Sequence, residues 1–253
     1  MSHSIGSILR KWRKQRRYSQ LQLALDLGIS SKHISFLETG RSIPSRKMIL
    51  KIGTFLYLSK REINRGLYLA GYAPVYAEFP TGHKNLEPVL SAIDQMILNH
   101  MPYPAIVLNQ DWDVVTVNDS AKKLLFEVGY SEHQNLVEAI ISDDPETSKI
   151  INWQESVSVL LVRLRNEINM LGGSDRLEEL EEKLTSHLPG DDEITDIDEN
   201  KAVLSTKFQL ADCVLSFFSV IAHLGAVQDV TVSEYKVELM FPSDDETREF
   251  YKI

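Results

Sequence analysis

The sequence predicts two domains of different class: an all-α head of five short helices, then an α+β body built on an antiparallel sheet of about five strands. Three observations carry this expectation. Over the first seventy residues, apolar side chains recur at helical spacing between cap residues. From Ala105 onward, β-branched runs bounded by turn residues are interleaved with longer helical stripes. The charge is also split. Residues 1–70 hold 14 Lys and Arg against 3 Asp and Glu, a balance of +11, while residues 71–253 carry −20 of the net −9.

The first helix is expected over 4–17, where Ile5, Ile8, Leu9 and Trp12 share one face and Arg10, Lys11, Arg13, Lys14, Arg16 and Arg17 occupy the rest. Ser19 caps a second helix with Leu23, Ala24 and Leu27 inward, and Gly28 ends it. A third helix starts at Ser30 or Ser31 and buries Ile34 and Leu37 before Gly40 stops it. Pro44 and Ser45 open a fourth, with Met48, Ile49, Ile52, Phe55 and Leu56. Ser59 and Glu62 form a capping-box pattern for a fifth, with Ile63, Leu67 and Ala70. These helices define a domain over 1–72. Pro74, Pro80 and Gly82 mark 73–85 as a linker, and 86–253 form the body.

The body opens with a helix over 86–101 through Leu86, Leu90, Ile93 and Ile97. Residues 105–109 and 114–118 read as a hairpin, and 119–127 and 135–142 as helices. A longer helix over 153–171 carries Val157, Leu160, Leu161, Leu164, Ile168 and Leu171, and a charged amphipathic helix spans 175–188. After an acidic loop from Pro189 to Asn200, three β-rich segments follow at 202–211, 213–223 and 230–241. Ser243 and Glu246 suggest a capping box for a last helix. This order of elements is PAS-like.

The segment Ser19 to Gly40 supplies what a helix-turn-helix requires: a helix to cross the DNA backbone, a tight turn at Gly28, and a helix to enter the major groove. Small Ala24 permits the close packing of the two. The pattern S-Q…L-A…L-G-I-S…I-S…E…G-R…P-S over residues 19–45 resembles the XRE, or Cro/C1-type, helix-turn-helix family. The resemblance implies a double-stranded DNA partner and places Ser31, Lys32 and Phe36 at base-reading positions. Ser35 points outward with them once Ile34 and Leu37 are buried, and His33 stands where a base or a phosphate lies. Phe36 is equally readable as a core aromatic. Gln20 resembles a phosphate anchor. Ser30, Arg41, Ser42, Ser45 and Arg46 flank the reading helix as further phosphate contacts. A single short reading helix covers few base pairs, so the expectation is a homodimer on a two-fold symmetric operator. Leu21 and Leu25 stand exposed at i, i+4, where charged residues are usual. They are either isolated surface leucines or a contact for the body or a dimer mate.

Further along, Leu69 to Tyr76, Pro104 to Asn109, Asp113 and Asn118 are similar to regulators that carry an MmyB-like ligand-binding domain of PAS-like fold. The segments 215–225, 229–231 and 238–245 differ from the actinobacterial style of that domain. The resemblance implies a small apolar ligand, with fatty acids leading. The residues themselves offer Phe126; Trp153, Leu160, Leu161 and Leu164 on the long helix; and Phe208, Leu210, Phe217, Phe218 and His223 on the late strands as wall candidates. Most of these would be core in any fold. Arg163 and Arg165 flank the stripe; they form either a solvated charged face, the more common case, or a pair of which one meets a carboxylate head group. A body that only dimerises or recruits a partner is the competing expectation.

Catalytic readings find no foothold. Cys213 has no histidine-bearing nucleophile motif nearby. His3, His33, His83, His100, His133, His187 and His223 lack metal-ligand spacing, and the acidic run Asp191 to Glu199 lacks the glycine of a calcium loop. Gly172-Gly173 reads as a helix end rather than a phosphate loop. No enzyme, metal or cofactor is expected beyond a bound apolar molecule. With one cysteine, no bilayer-length apolar run and no signal-peptide pattern, the expected location is the bacterial cytoplasm, in association with the nucleoid and not with membrane.

Overall fold

The computed structural model describes residues 4–80, 82–171, 173–188, 203–225 and 227–252. The expected acidic loop, His3 and Gly172 lie outside them. The chain divides into two compact units, one of residues 1–78 with 166–175 and one of 79–165 with 176–253.

The head contains α1 (Ile5–Gln15), α2 (Gln20–Asp26), α3 (Ser31–Glu38), α4 (Arg46–Phe55) and α5 (Lys60–Leu69). Each starts on a serine. The hydroxyls of Ser4, Ser19, Ser30, Ser45 and Ser59 accept from the backbone N–H three residues on, which satisfies a donor the helix itself leaves open. Ser19 forms a full capping box with Gln22. The box expected at Ser59 differs: the Glu62 carboxylate accepts from Trp12 Nε1 at 2.8 Å instead, tying α5 to α1. The apolar stripes of all five helices meet in one core through Ile8, Trp12, Leu23, Leu37, Ile52 and Leu67. Asn64 holds the following segment, its Oδ1 accepting from Val75 and Tyr76 N–H.

The body begins with a 3₁₀ turn over Lys84–Leu86 and α6 (Glu87–Asn99). Then come β1 (Ala105–Leu108), β2 (Val114–Val117), α7 (Asp119–Glu127), α8 (Leu136–Ile141), α9 (Trp153–Leu171) and α10 (Asp175–Ser186). The chain closes with β3 (Thr206–Gln209), β4 (Val214–His223), α11 (Val230–Ser233), β5 (Lys236–Pro242) and α12 (Asp245–Phe250). The five strands form one antiparallel sheet in the order β2-β1-β5-β4-β3, a PAS-like arrangement.

Strand alternation gives the sheet two distinct faces. Ala105, Val107 and Val237 point to α6 and pack with Ile93 and Ile97. Ile106, Glu238 and Met240 point the other way, toward a cavity that residues of α7, α8 and α9 complete. Two expectations are corrected. The β-rich segment 230–241 starts as a helical turn, because the Asp229 carboxylate accepts from Val232 N–H and caps α11; the strand begins at Lys236. The last helix is capped by Asp244, not Ser243, with Asp244 Oδ1 accepting from Thr247 N–H at 2.8 Å.

Candidate functional site

In the head, the turn between α2 and α3 runs through Gly28 at φ +63°, a left-handed conformation that costs a side-chain-bearing residue about 1 kcal/mol or more. Close packing against α1 fixes the height of α3. A Cβ on Gly6 would lie 2.7 Å from the carbonyl oxygens of Leu37 and Glu38, so only glycine lets α1 approach the end of α3 this closely. Beside that approach lies a buried ionic cluster. Arg13 Nε and Nη2 donate to the Glu38 oxygens at 2.5 and 2.8 Å, Arg13 Nη1 donates to Tyr18 O at 2.7 Å, and Gln20 Nε2 donates to Glu38 Oε2 at 2.8 Å. Burial pushes the Glu38 carboxyl up, but Arg13 and Gln20 outweigh it and hold the pKa below the ordinary value.

This scaffold buries Ile34, Leu37 and Glu38 and leaves the rest of α3 exposed or half-buried. Ser31 and Lys32 are exposed; His33, Ser35 and Phe36 are half-buried. Phe36 is not part of the core. Its ring lies under two cations, with Lys32 Nζ 5.5 Å and the Arg41 guanidinium carbon 5.8 Å from its centroid. Arg41, Ser45 and Arg46 are exposed beyond α3 and Ser42 is half-buried. The hydroxyl oxygens of Ser30 and Ser45 are engaged as cap acceptors, which leaves each O–H free to donate outward. The Gln20 amide donates one N–H to Glu38, a contact its place in the motif did not reveal, and keeps a second N–H. Leu21 and Leu25 are exposed, as their spacing suggests.

In the body, the cavity between sheet and helices has a volume of about 100 Å³. Ser156, Val159, Leu160 and Arg163 of α9 line it, at i, i+3, i+4 and i+7, one helical face. Ala121 and Leu124 of α7 and Tyr130 after it add a second wall, and Ile106, Phe208 and Met240 of the sheet a third. Trp112 closes one side. It sits in the β1–β2 turn at φ +68° and is fully buried. A web of amides holds that turn: Asn109 Oδ1 accepts from Asp111 and Asp113 N–H at 2.9 Å, and Asn135 Nδ2 donates to Asp111 O and Asp113 Oδ1. Tyr130 donates to Asp143 at 2.8 Å, and burial with that carboxylate raises its phenol well above the ordinary range.

One end of this largely apolar cavity is charged. Arg163 Nη1 donates to Glu238 Oε1 at 3.3 Å. The Arg163 guanidinium carbon and Lys236 Nζ stand 5.1 and 3.9 Å from the Trp112 ring centroid. Burial pushes the Glu238 carboxyl up, but Arg163, the Ser219 hydroxyl and Lys236 together hold it below its ordinary value, so it is ionised. Arg163 Nη2 and Glu238 Oε2 are buried without a hydrogen-bond partner.

Of the residues expected at a ligand wall, Leu160, Arg163 and Phe208 border the cavity. Trp153, Leu161 and Leu164 are buried on α9 outside its lining. Phe217 packs its ring against Phe208 and Tyr251, and Phe218 points to the opposite face, stacked 5.6 Å from Phe241. Leu210 sits in the turn after β3, while Phe126 and His223 are exposed. Arg165 pairs with Glu181 of α10 at 2.8 Å. The lining residues that sequence reasoning passed over include Trp112, Tyr130, Ser219, Glu238 and Met240. The available signal was Lys236 and Glu238 at alternate positions in an apolar strand, a pattern that ordinarily marks a solvent face.

Among the described residues, no group of three His, Cys, Asp or Glu stands close enough to hold a metal ion, and no helix is long and apolar enough to cross a membrane. No curated protein matches the chain. Residues 9–63 match the helix-turn-helix family, and residues 89–252 match the MmyB-like transcription regulator ligand binding domain. With α2 and α3 inside the first match and the cavity inside the second, the chain belongs to the MmyB-like transcription regulators: it is a DNA-binding regulator with a ligand-binding C-terminal domain.

Proposed function

We propose that the protein is a one-component regulator whose affinity for a two-fold symmetric operator changes when a small, largely apolar molecule occupies the body's cavity. The observation that carries this is the cavity itself, apolar over most of its wall, with one charged end, inside a domain of a ligand-binding family. Fatty acids are the candidates implied by the family resemblance, with Arg163 facing the head group. A volume of about 100 Å³ is below the roughly 150 Å³ that takes benzene, so the matching ligand is short, or the wall opens to admit a longer chain. The protein acts as a homodimer in the bacterial cytoplasm, on the nucleoid, because each α3 spans only eight residues and reads few base pairs.

A ligand shifts DNA binding only by its differential affinity for the two states, and couplings of about 1–3 kcal/mol change affinity some 5–150-fold. The test is operator affinity measured across a panel of short- to long-chain fatty acids and their primary amides, in the native protein and in Val159→Phe, which fills the cavity. A change of about fivefold or more in the native protein, absent in the filled variant, supports the proposal. Unchanged affinity across the panel, with no small molecule co-purifying, assigns the body to dimerisation. The exposed Leu21 and Leu25 favour that second reading as an assembly surface.

A further inference from the structure

The cavity's charged end constrains the chemistry of what it holds. Its two bordering groups, Arg163 and Glu238, are joined only through Nη1 and Oε1, at 3.3 Å, a long contact. Arg163 Nη2 is a buried donor without an acceptor, and Glu238 Oε2 is a buried acceptor without a donor. The Glu238 side chain is only 8% exposed. Each orphan of this kind is destabilising, and more so where the group is charged. Lys236, the third charge, lies against the face of Trp112 and does not border the cavity.

We propose that the cavity selects a short ligand whose polar end is uncharged and carries one hydrogen-bond donor beside one acceptor, with a primary carboxamide as the simplest such group. This rests on the ligand-binding reading above and names the class of molecule. The carboxamide oxygen accepts from Arg163 Nη2 and its N–H donates to Glu238 Oε2. Both orphans are then satisfied without adding charge to a buried ion pair. A carboxylate meets the arginine but sets a second anion beside Glu238 and offers it no proton. An ammonium reverses the fault: it serves Glu238 and leaves Arg163 Nη2 facing a cation. The apolar walls of Leu124, Val159, Leu160 and Met240 take the alkyl body. The indole of Trp112 steadies the guanidinium from the side.

The experiment compares propanamide, propanoate and propylamine, each smaller than benzene, which share a body length and differ in their polar end. Binding to the full-length protein is followed by calorimetry and by the shift in melting temperature. The amide is expected to bind at least about tenfold more tightly than either charged analogue, the factor expected for one unsatisfied buried partner. Glu238→Gln gives the cavity a donor of its own, and there propanoate is expected to overtake propanamide. If that variant does not fold, Arg163→Met serves: the amide loses about tenfold while the amine does not. Binding of propanoate to the native protein as tight as that of propanamide overturns the inference and leaves the cavity standing as a ligand site. Amide binding that survives Val159→Phe also overturns it, since the probe is then elsewhere. If no probe binds the folded protein at millimolar concentration, the inference fails, while the operator titration described above decides the ligand-binding reading on its own.

Discussion

Arg13 and Glu38 are the residues on which the reading helix rests, and their chemistry sets an acid limit. A buried pair is strongly destabilised when one partner is removed, because the other charge is stranded. Arg13→Ala is therefore expected to cost the head about 3–5 kcal/mol in chemical denaturation at neutral pH. The sign of the pH dependence follows from Glu38, whose folded pKa lies below its ordinary 4.5. Its contribution is fully present above 4.5 and is lost as the pH falls through the lower folded value. Native protein should lose head stability over that acid window, and Glu38→Gln should lose less of it. An equal acid slope in both proteins contradicts this role. None of the cluster was legible in the sequence beyond the basic face of α1. A buried ion pair joins residues 25 apart, and nothing local distinguishes Arg13 from the exposed cations around it. Gln20 shows the same limit: its position fits a phosphate anchor, and its amide is engaged with Glu38.

At the scale of elements, periodicity and capping chemistry are local, and they were read well. All five helices of the head lie where serine caps and apolar spacing put them. The misreadings fall where a cap competes with β-branching. Val230-Thr231-Val232 has strand composition, and a single Asp229 carboxylate folds it into a helical turn. Strand faces set a second limit. Phe217 and Phe218 are equally apolar and adjacent, so alternation sends them to opposite sides, and only the pairing partners decide which side holds the cavity. Two predictions belong here. Gly6→Ala pushes a methyl into the carbonyls that end α3, and is expected to destabilise the head by about 1–3 kcal/mol and weaken operator binding. Unchanged melting and unchanged DNA affinity would show that α1 and α3 separate freely. On α3 itself, Lys32→Ala should relax base preference at a cost of about 1–3 kcal/mol. Arg41→Ala should weaken all sequences alike and flatten the salt slope. Equal effects of both on cognate and scrambled DNA would contradict this orientation of the helix.

For the whole molecule, the split of charge was legible at once, and it predicts where DNA affinity resides. A fragment of residues 1–78 keeps the head's core together with Tyr72 and Tyr76, which pack against it. It should bind DNA with a steep salt dependence, more weakly than the full chain where dimerisation is lost. Operator binding by residues 79–253 and not by 1–78 would refute the assignment. The sequence also carried both family resemblances. The cavity's polar end was not legible, because Trp112, Arg163 and Glu238 come from a turn, a helix and a strand far apart in the chain.

The three tryptophans are distributed so that the molecule carries its own optical gauge. Trp12 is locked in the head by its bond to Glu62, and Trp153 is buried outside the cavity lining. Trp112 alone of the three borders the cavity, with a guanidinium and an ammonium close to its ring. Emission from an indole responds to charges and water beside it, so filling the cavity should shift the spectrum of the native protein. In Trp112→Phe the remaining signal should stay flat through the same titration. Any molecule that enters can thereby be followed in solution without a label, before its identity is known.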